Sequence, residues 1–387
     1  MLINNVHIVG KKDSPSQIEI TGSKISAVRS QSEKQNDKRS DSVINFTDAI
    51  AFPGLINSHD HLEFNLYPQL GNKNYSDYVE WGNDIHEKNK EQIENVKKVP
   101  YDLRFKWGLY KNLLCGITTV AHHGNGKVIH LNNLPGVITS YNYLHSIRLE
   151  KNWKLKLNSI FNRKPFVIHI GEGTNVESYD EINELLNWNI FRKKIIGVHG
   201  ISLDKKQSSK FTALIWCPDS NFYLYGKTAN IPLLKLNTLI LFGTDSSVSA
   251  DWNIWSQLKS ARELNYLSDD ELYKGVTENA AKIWGIKSKG SISINKTADI
   301  VISKRKFDDN WDSFYNTNLE EILLILKNGV IVFIDEELAK EGGLIDINNF
   351  DLISINSKHK FVIKGIIDLM KSAHHFLPQF NFPITIA

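Results

Sequence analysis

The residues of this 387-residue chain that could do chemistry fall into four short stretches. They are His59-Asp60-His61, His169-Ile-Gly-Glu172, Val198-His199-Gly200 and Gly243-Thr-Asp245-Ser246. Residues i and i+2 of a strand point to the same side, so His59 and His61 face one way. Such a pair alone says little, because imidazole also serves as a satisfied core or loop group. Together the stretches say more. Imidazoles and carboxylates stand where apolar runs stop, and buried charge is rarely tolerated unpaired. Three neutral imidazoles and one carboxylate make a good site for a borderline divalent ion such as Zn²⁺. Such an ion lowers the pKa of bound water to about 7 and supplies hydroxide at neutral pH. Glu172 is then free for proton transfer. The chemistry read from these residues is that of a metal-dependent hydrolase.

Short apolar runs position these groups, over 51–57, 116–121, 136–140, 165–170, 194–199, 213–217 and 238–243. Helical patterns intervene over 102–114, 179–188, 252–264 and 269–284. Strands apolar on both faces and separated by helices imply a parallel sheet covered by helices. The fold class is α/β, and the seven runs nearly complete a (β/α)₈ TIM-like barrel. The missing strand falls between Ser140 and Pro165, where the barrel is abbreviated. Barrel strand ends converge on one mouth, the usual place for an active site. Outside the barrel, period-two alternation over 2–9 and 18–28 predicts strands, as do the runs 290–294, 299–303, 321–326 and 330–334. The last two flank Lys-Asn-Gly, a hairpin signal. The expected organisation is a small β-sandwich built from both chain ends, 1–52 and 288–345, a barrel over 53–287, and a tail over 346–387. The tail carries a helical pattern around 366–375 and is expected to pack on the barrel or on a partner subunit. The polar run 30–42 reads as an exposed loop.

Net charge +3 with 23% charged residues is ordinary globular composition. It gives no general electrostatic reason to expect nucleic acid or an acidic membrane as partner. Two cysteines, Cys115 and Cys217, exclude a disulfide framework and favour a cytosolic setting. The first residues are too few and too polar for a signal peptide. No apolar run approaches the roughly 18 residues of a membrane helix. The expected partner is a small-molecule substrate, with no nucleic acid and no membrane, in the cytoplasm. A homodimer is allowed, though no residue demands it.

At this point a resemblance appears. Pro53-Gly-Leu-Ile-Asn-Ser-His-Asp-His61 is similar to the first-strand signature of the amidohydrolase superfamily. His169-x-x-Glu172, His199, Cys217-Pro-Asp-Ser-Asn221 and Gly243-Thr-Asp245-Ser246 resemble one branch of it. That branch holds cytosine, guanine and adenosine-type deaminases, triazine chlorohydrolases and imidazolonepropionase. Gly290 and Lys296-Thr-Ala-Asp-Ile-Val301 resemble the family's return into its sandwich, so the match runs in order from about Met1 to Asp335. The resemblance implies that His59, His61, His169 and Asp245 ligate one divalent ion, Zn²⁺ ahead of Fe²⁺. It implies that His199 holds and polarises the attacking water with Asp245, and that Glu172 shuttles the proton. No lysine stands where the two-metal branches place a bridging ligand, which supports a single metal. The implied activity is hydrolysis of a C–N bond, as an aminohydrolase of an N-heterocyclic small molecule. Opening of a cyclic amide, as in imidazolonepropionase-like members, is the alternative, and an inactive binding relative is a lesser one.

Other residues are candidates for substrate contact. His122 and His123 follow the second run, where one of them faces the mouth, either to touch substrate or to orient a ligand from behind. Glu63, with Asn65 and Tyr67, follows the metal pair. Trp81 and His86 lie in a long segment read as a lid, where an indole could stack on a flat heterocycle or pack on the barrel. Asn221 and Ser220 sit in a turn, within reach of the ligand or stabilising the turn itself. His374 and His375 are adjacent and so read as surface or interface. Cys217 reads as packed and inert.

Overall fold

The computed structural model describes residues 1–11, 14–30 and 42–387. Eight parallel strands carry the site, in sheets of three and five. The first sheet holds β1 (Leu55–Asp60), β2 (Ile117–His122) and β3 (Gly136–Ile138). The second holds β4 (Asn142–Ser146), β5 (Phe166–Ile170), β6 (Ile195–His199), β7 (Ala213–Trp216) and β8 (Leu239–Phe242). Strands β1, β2, β5, β6 and β7 are buried at every residue, as expected of parallel strands covered on both faces. Ile56, Ala121, Val167, Ile196, Ile215 and Leu241 form one apolar cluster between these strands, with Trp284 packed into it. The sheets approach at β8 and β1, where the Asp245 N–H donates to the His59 carbonyl at 3.0 Å.

The strand that the sequence left unplaced between Ser140 and Pro165 is β4. Only residues 139–141 separate it from β3, which leaves no room for a helix. Its sequence, Asn-Tyr-Leu-His-Ser, is polar and only partly buried, so it lacks the apolar signature of its neighbours. The Tyr141 hydroxyl reaches back to the His122 carbonyl beside this short crossover. The helices Tyr101–Leu114, Val176–Trp188 and Ile254–Glu263 lie close to their expected spans. The pattern over 269–284 resolves into two helices, Asp269–Gly275 and Glu278–Ile283. Two further helices, Tyr78–Lys88 and Lys90–Lys97, follow β1.

Both chain ends meet in one ten-stranded sheet. Val43–Pro53 pairs in parallel with Leu2–Ile8 and antiparallel with Ile300–Lys304. It enters β1 through Gly54, where a Cβ would lie 2.4 Å from the Thr118 side chain. Lys-Asn-Gly does form a hairpin: Asn328 and Gly329 have φ of 53° and 77° between Ile322–Lys327 and Val330–Asp335. The run 290–294 forms no strand, because Gly290 and Asn295 turn the chain at φ of 82° and 66°. The tail adds Phe350–Ile355, Lys358–Ile363 and Thr385–Ile386 to one edge of the sheet. Its helix Ile366–Phe376 is followed by Phe382, whose ring meets Trp107 of the helix Tyr101–Leu114 at 4.7 Å. The Tyr110 hydroxyl of that same helix donates to the Lys364 carbonyl at 3.0 Å. The expected loop at 30–42 falls almost wholly outside the described residues. Among the described residues no helix is long and apolar enough to cross a membrane.

Candidate metal centre

The C-terminal ends of β1, β5, β6 and β8 bring the four stretches together. His59 is in β1 and His61 follows it, their rings 4.9 Å apart. His169 in β5 places Nε2 3.2 Å from His59 Nε2. Asp245 follows β8 and puts Oδ1 3.7 Å from His59 Nε2 and 3.6 Å from His61 Nε2. His199 ends β6 and joins His59 and Asp245 in a second group of converging ligand atoms. His59, His61, His169, His199, Glu172 and Asp245 are all buried. His199 and Asp245 adopt left-handed backbone, φ 69° and 55°, the kind of local strain that clusters at functional sites.

The donors fit a divalent cation. Burial, then the neighbouring imidazoles, holds His61 and His169 well below the usual histidine range, and burial lowers His59 as well. Burial thus favours the neutral form of these rings, the form whose lone pairs a cation takes. Two Zn–N bonds of about 2.0–2.1 Å at a tetrahedral angle separate their nitrogens by roughly 3.3 Å. The His59–His169 contact of 3.2 Å has that spacing. Burial works to raise the Asp245 carboxyl, but His59, His61 and His199 hold it well below the usual carboxylate range. Hydroxyls of Ser220 and Ser249 donate to its Oδ2 at 2.8 and 3.0 Å, leaving Oδ1 toward the histidines.

Other contacts organise the proton-handling groups. His199 Nδ1 meets Asn221 Oδ1 at 2.8 Å, so the amide oxygen takes the Nδ1 proton and Nε2 is left as a lone pair. That Nε2 lies 3.7 Å from Glu172 Oε1. Burial raises the Glu172 carboxyl, with His199 opposing, and the Tyr225 hydroxyl donates to Oε1 at 2.9 Å. Asp60 turns the other way, onto Lys111 Nζ at 3.0 Å and Asn112 Nδ2 at 2.8 Å. Lys111 is 1% exposed, so this is a buried ion pair beneath the two strand histidines.

A cavity of about 320 Å³ opens over these groups. Its lining includes His61, His169, Glu172, His199 and Asp245, with Phe64, Tyr67, Tyr78, Trp81, His86 and His145 around them. Trp81, among the substrate candidates, is thus at the cavity wall, its Nε1 donating to the Leu70 carbonyl at 2.9 Å. Glu63, His122, His123 and Asn221 are not part of that wall. His122 sits 3.6 Å from Glu63, and His123 packs 4.4 Å from the His169 ring, with neither of its nitrogens hydrogen-bonded. Asn221 stands behind His199. His145 and Tyr225 were not singled out from sequence. His145 lies on β4, the strand without an apolar signature, so only placing that strand could have found it. His374 is not part of this lining, and its Nε2 meets the Phe380 carbonyl at 2.8 Å. Cys217 is buried with its thiol pushed well above the usual range, first by burial.

A single stretch of the chain, residues 160–332, matches the model of the Amidohydrolase family. It contains β5 to β8 with His169, Glu172, His199 and Asp245. No curated protein matches the chain. Solved structures extend the likeness to the whole chain at the level of fold. A zinc-bound adenosine deaminase from Xanthomonas campestris superposes with a TM-score of 0.71 at 14% identity, covering 98% of both chains. A zinc complex of atrazine chlorohydrolase from Arthrobacter aurescens gives 0.70 at 18% identity, over 97% of this chain and all of the other. Aminofutalosine deaminase from Helicobacter pylori, in complex with methylthio-coformycin, gives 0.58 at 15% identity, over 86% of this chain and 99% of that one.

Proposed function

We propose that this protein is a hydrolase of C–N bonds with a single divalent metal, Zn²⁺, and that it removes an amino group from an N-heterocyclic small molecule. In this reading the eight parallel strands make a (β/α)₈ barrel over 53–287. The strands of 1–52 and 288–345 make the accompanying sandwich, and the tail is docked on both. The observation that carries the function is the meeting of two groups at one cavity. One is a neutral His₃-Asp donor set, and the other is a buried carboxyl, Glu172, held beside an oriented imidazole, His199.

His59, His61, His169 and Asp245 would hold the ion. When bound, it lowers the pKa of a coordinated water to about 7 and so supplies hydroxide at neutral pH. The chain's own residues do the rest. His199, its Nδ1 turned to Asn221 Oδ1, would offer Nε2 as a hydrogen-bond acceptor to position the attacking water. Glu172 accepts that proton on its carboxylate. Its raised pKa then suits it to pass the proton to the ring nitrogen beside the attacked carbon, after which it would take the remaining hydroxyl proton of the tetrahedral adduct and give it to the leaving amine as the C–N bond breaks and the carbonyl forms. Tyr225 donates to Oε1 and so keeps the carboxyl in place. Phe64, Tyr67, Tyr78 and Trp81 present aromatic faces matched to a flat heterocycle and exclude water around it. The glutamate and metal donors serve ring opening equally well, so ammonia is the deciding product. The test is an ammonia-release screen of metal-analysed protein against purines, pyrimidines, pterins and triazines. Release from at least one class is expected, and silence across all of them contradicts the aminohydrolase reading.

A further inference from the structure

At the end of the parallel strands opposite the metal centre, the segments leading into β5 and β6 expose an apolar surface. Leu155, Ile160, Phe161, Trp188, Ile190 and Phe191 are between 42% and 86% exposed. Single exposed apolar residues are ordinary, but six on two adjoining segments are not. The segments are fastened to each other. Asn158 Nδ2 donates to the Trp188 carbonyl at 2.7 Å, and the Ile190 N–H donates to Asn158 Oδ1 at 3.2 Å. Lys193 Nζ donates to the carbonyls of Ser159 and Asn162 at 3.0 and 2.7 Å. The apolar tips are therefore presented from a braced platform.

Charge surrounds them. Residues 151–164 carry Lys151, Lys154, Lys156, Arg163 and Lys164, residues 188–194 carry Arg192, Lys193 and Lys194, and neither segment contains Asp or Glu. Two of these cations are paired from outside, Lys154 with Glu184 and Lys156 with Glu150, each at 2.8 Å. The Lys154 ammonium also lies 4.5 Å over the Trp188 ring, a cation–π contact at the edge of the apolar surface. An apolar tip with aromatic residues inside a basic rim is the chemistry of an interfacial membrane contact. A second copy fits less well, because a two-fold contact sets this patch against itself and brings cation to cation.

We propose that this face docks on an anionic lipid surface. Phe161, Ile160, Ile190 and Phe191 enter the headgroup boundary while the exposed Lys151, Arg163, Arg192 and Lys194 meet the lipid phosphates. The cavity opens at the other end of the strands, so docking leaves it free for substrate. The inference stands apart from the catalytic reading, since none of these residues belongs to that site.

The test is co-sedimentation of the full chain with vesicles of equimolar phosphatidylglycerol and phosphatidylcholine, against vesicles of phosphatidylcholine alone. Binding to the anionic vesicles only, falling as salt is raised, is expected. The double variant F161S/F191S should partition on the order of tenfold more weakly, and R163Q and R192Q about fivefold more weakly each. Unchanged metal content and melting temperature show that the variants are folded. No binding by the parent protein overturns the proposal, as does undiminished binding by F161S/F191S. Self-association of the parent protein that F161S/F191S abolishes also overturns it and gives the face to a second copy.

Discussion

His59 and His169, more than a hundred residues apart in the chain, bring their Nε2 atoms to 3.2 Å inside the protein. Burial works against protonation of both rings, with Asp245 opposing at His59 and the neighbouring imidazoles adding to it at His169. Two such nitrogens, with Asp245 Oδ1 3.7 Å from His59, define a cation site. Removal of the ion by a chelator should lower the melting temperature, and added Zn²⁺ should restore it, since a ligand bound only to the folded state stabilises it. H169A and D245A should purify with markedly less metal by elemental analysis. A fully metallated variant would contradict ligation.

The Asn221 contact with His199 makes a separate prediction. N221A should keep its metal and its fold but lose on the order of 10–100-fold in turnover, because the imidazole loses the partner that fixes its tautomer. A loss confined to KM would instead make Asn221 a substrate contact.

Lys111 and Asp60 form a buried pair beneath the two strand histidines. K111M strands the Asp60 carboxylate without its cation and should cost about 3–5 kcal/mol in stability by denaturant unfolding. Metal affinity should fall with it, because Asp60 stands between His59 and His61. Unchanged unfolding would show that Asn65 and Asn112 suffice to hold the carboxylate.

Glu181 gives the pH prediction. Burial pushes its carboxyl up to about 7, with Arg148 at 3.2 Å opposing. Between its ordinary range and that value the folded state binds the extra proton, so stability contributed by this group is lost as pH rises through that window. Unfolding of the parent protein and E181Q measured from pH 5 to 8 should show the steeper decline in the parent, by an amount on the order of 1–3 kcal/mol across the window. Parallel profiles would remove Glu181 from the account.

What the sequence made legible follows from where chemistry and hydrophobicity coincide. His59, His61, His169, His199 and Asp245 could be read because each ends or follows an apolar strand. His145 could not be read that way, since β4 is short, polar and half-buried. Lys-Asn-Gly declared its hairpin through two positive-φ positions, whereas 290–294 alternates like a strand yet is turned by Gly290 and Asn295. Lys111 and Tyr225 show their roles only through contacts made across the fold. The basic face around Phe161 is hidden in a net charge of +3, because acids elsewhere in the chain balance it.

The most direct test of the central claim is metal analysis and ammonia release on the same preparations of the parent protein and E172Q. With an N-heterocyclic substrate from the screen, both should contain one zinc per chain. The parent should release ammonia, and E172Q should do so roughly 10²–10⁴-fold more slowly. Undiminished release by metallated E172Q, or full release by metal-free parent protein, would contradict the account.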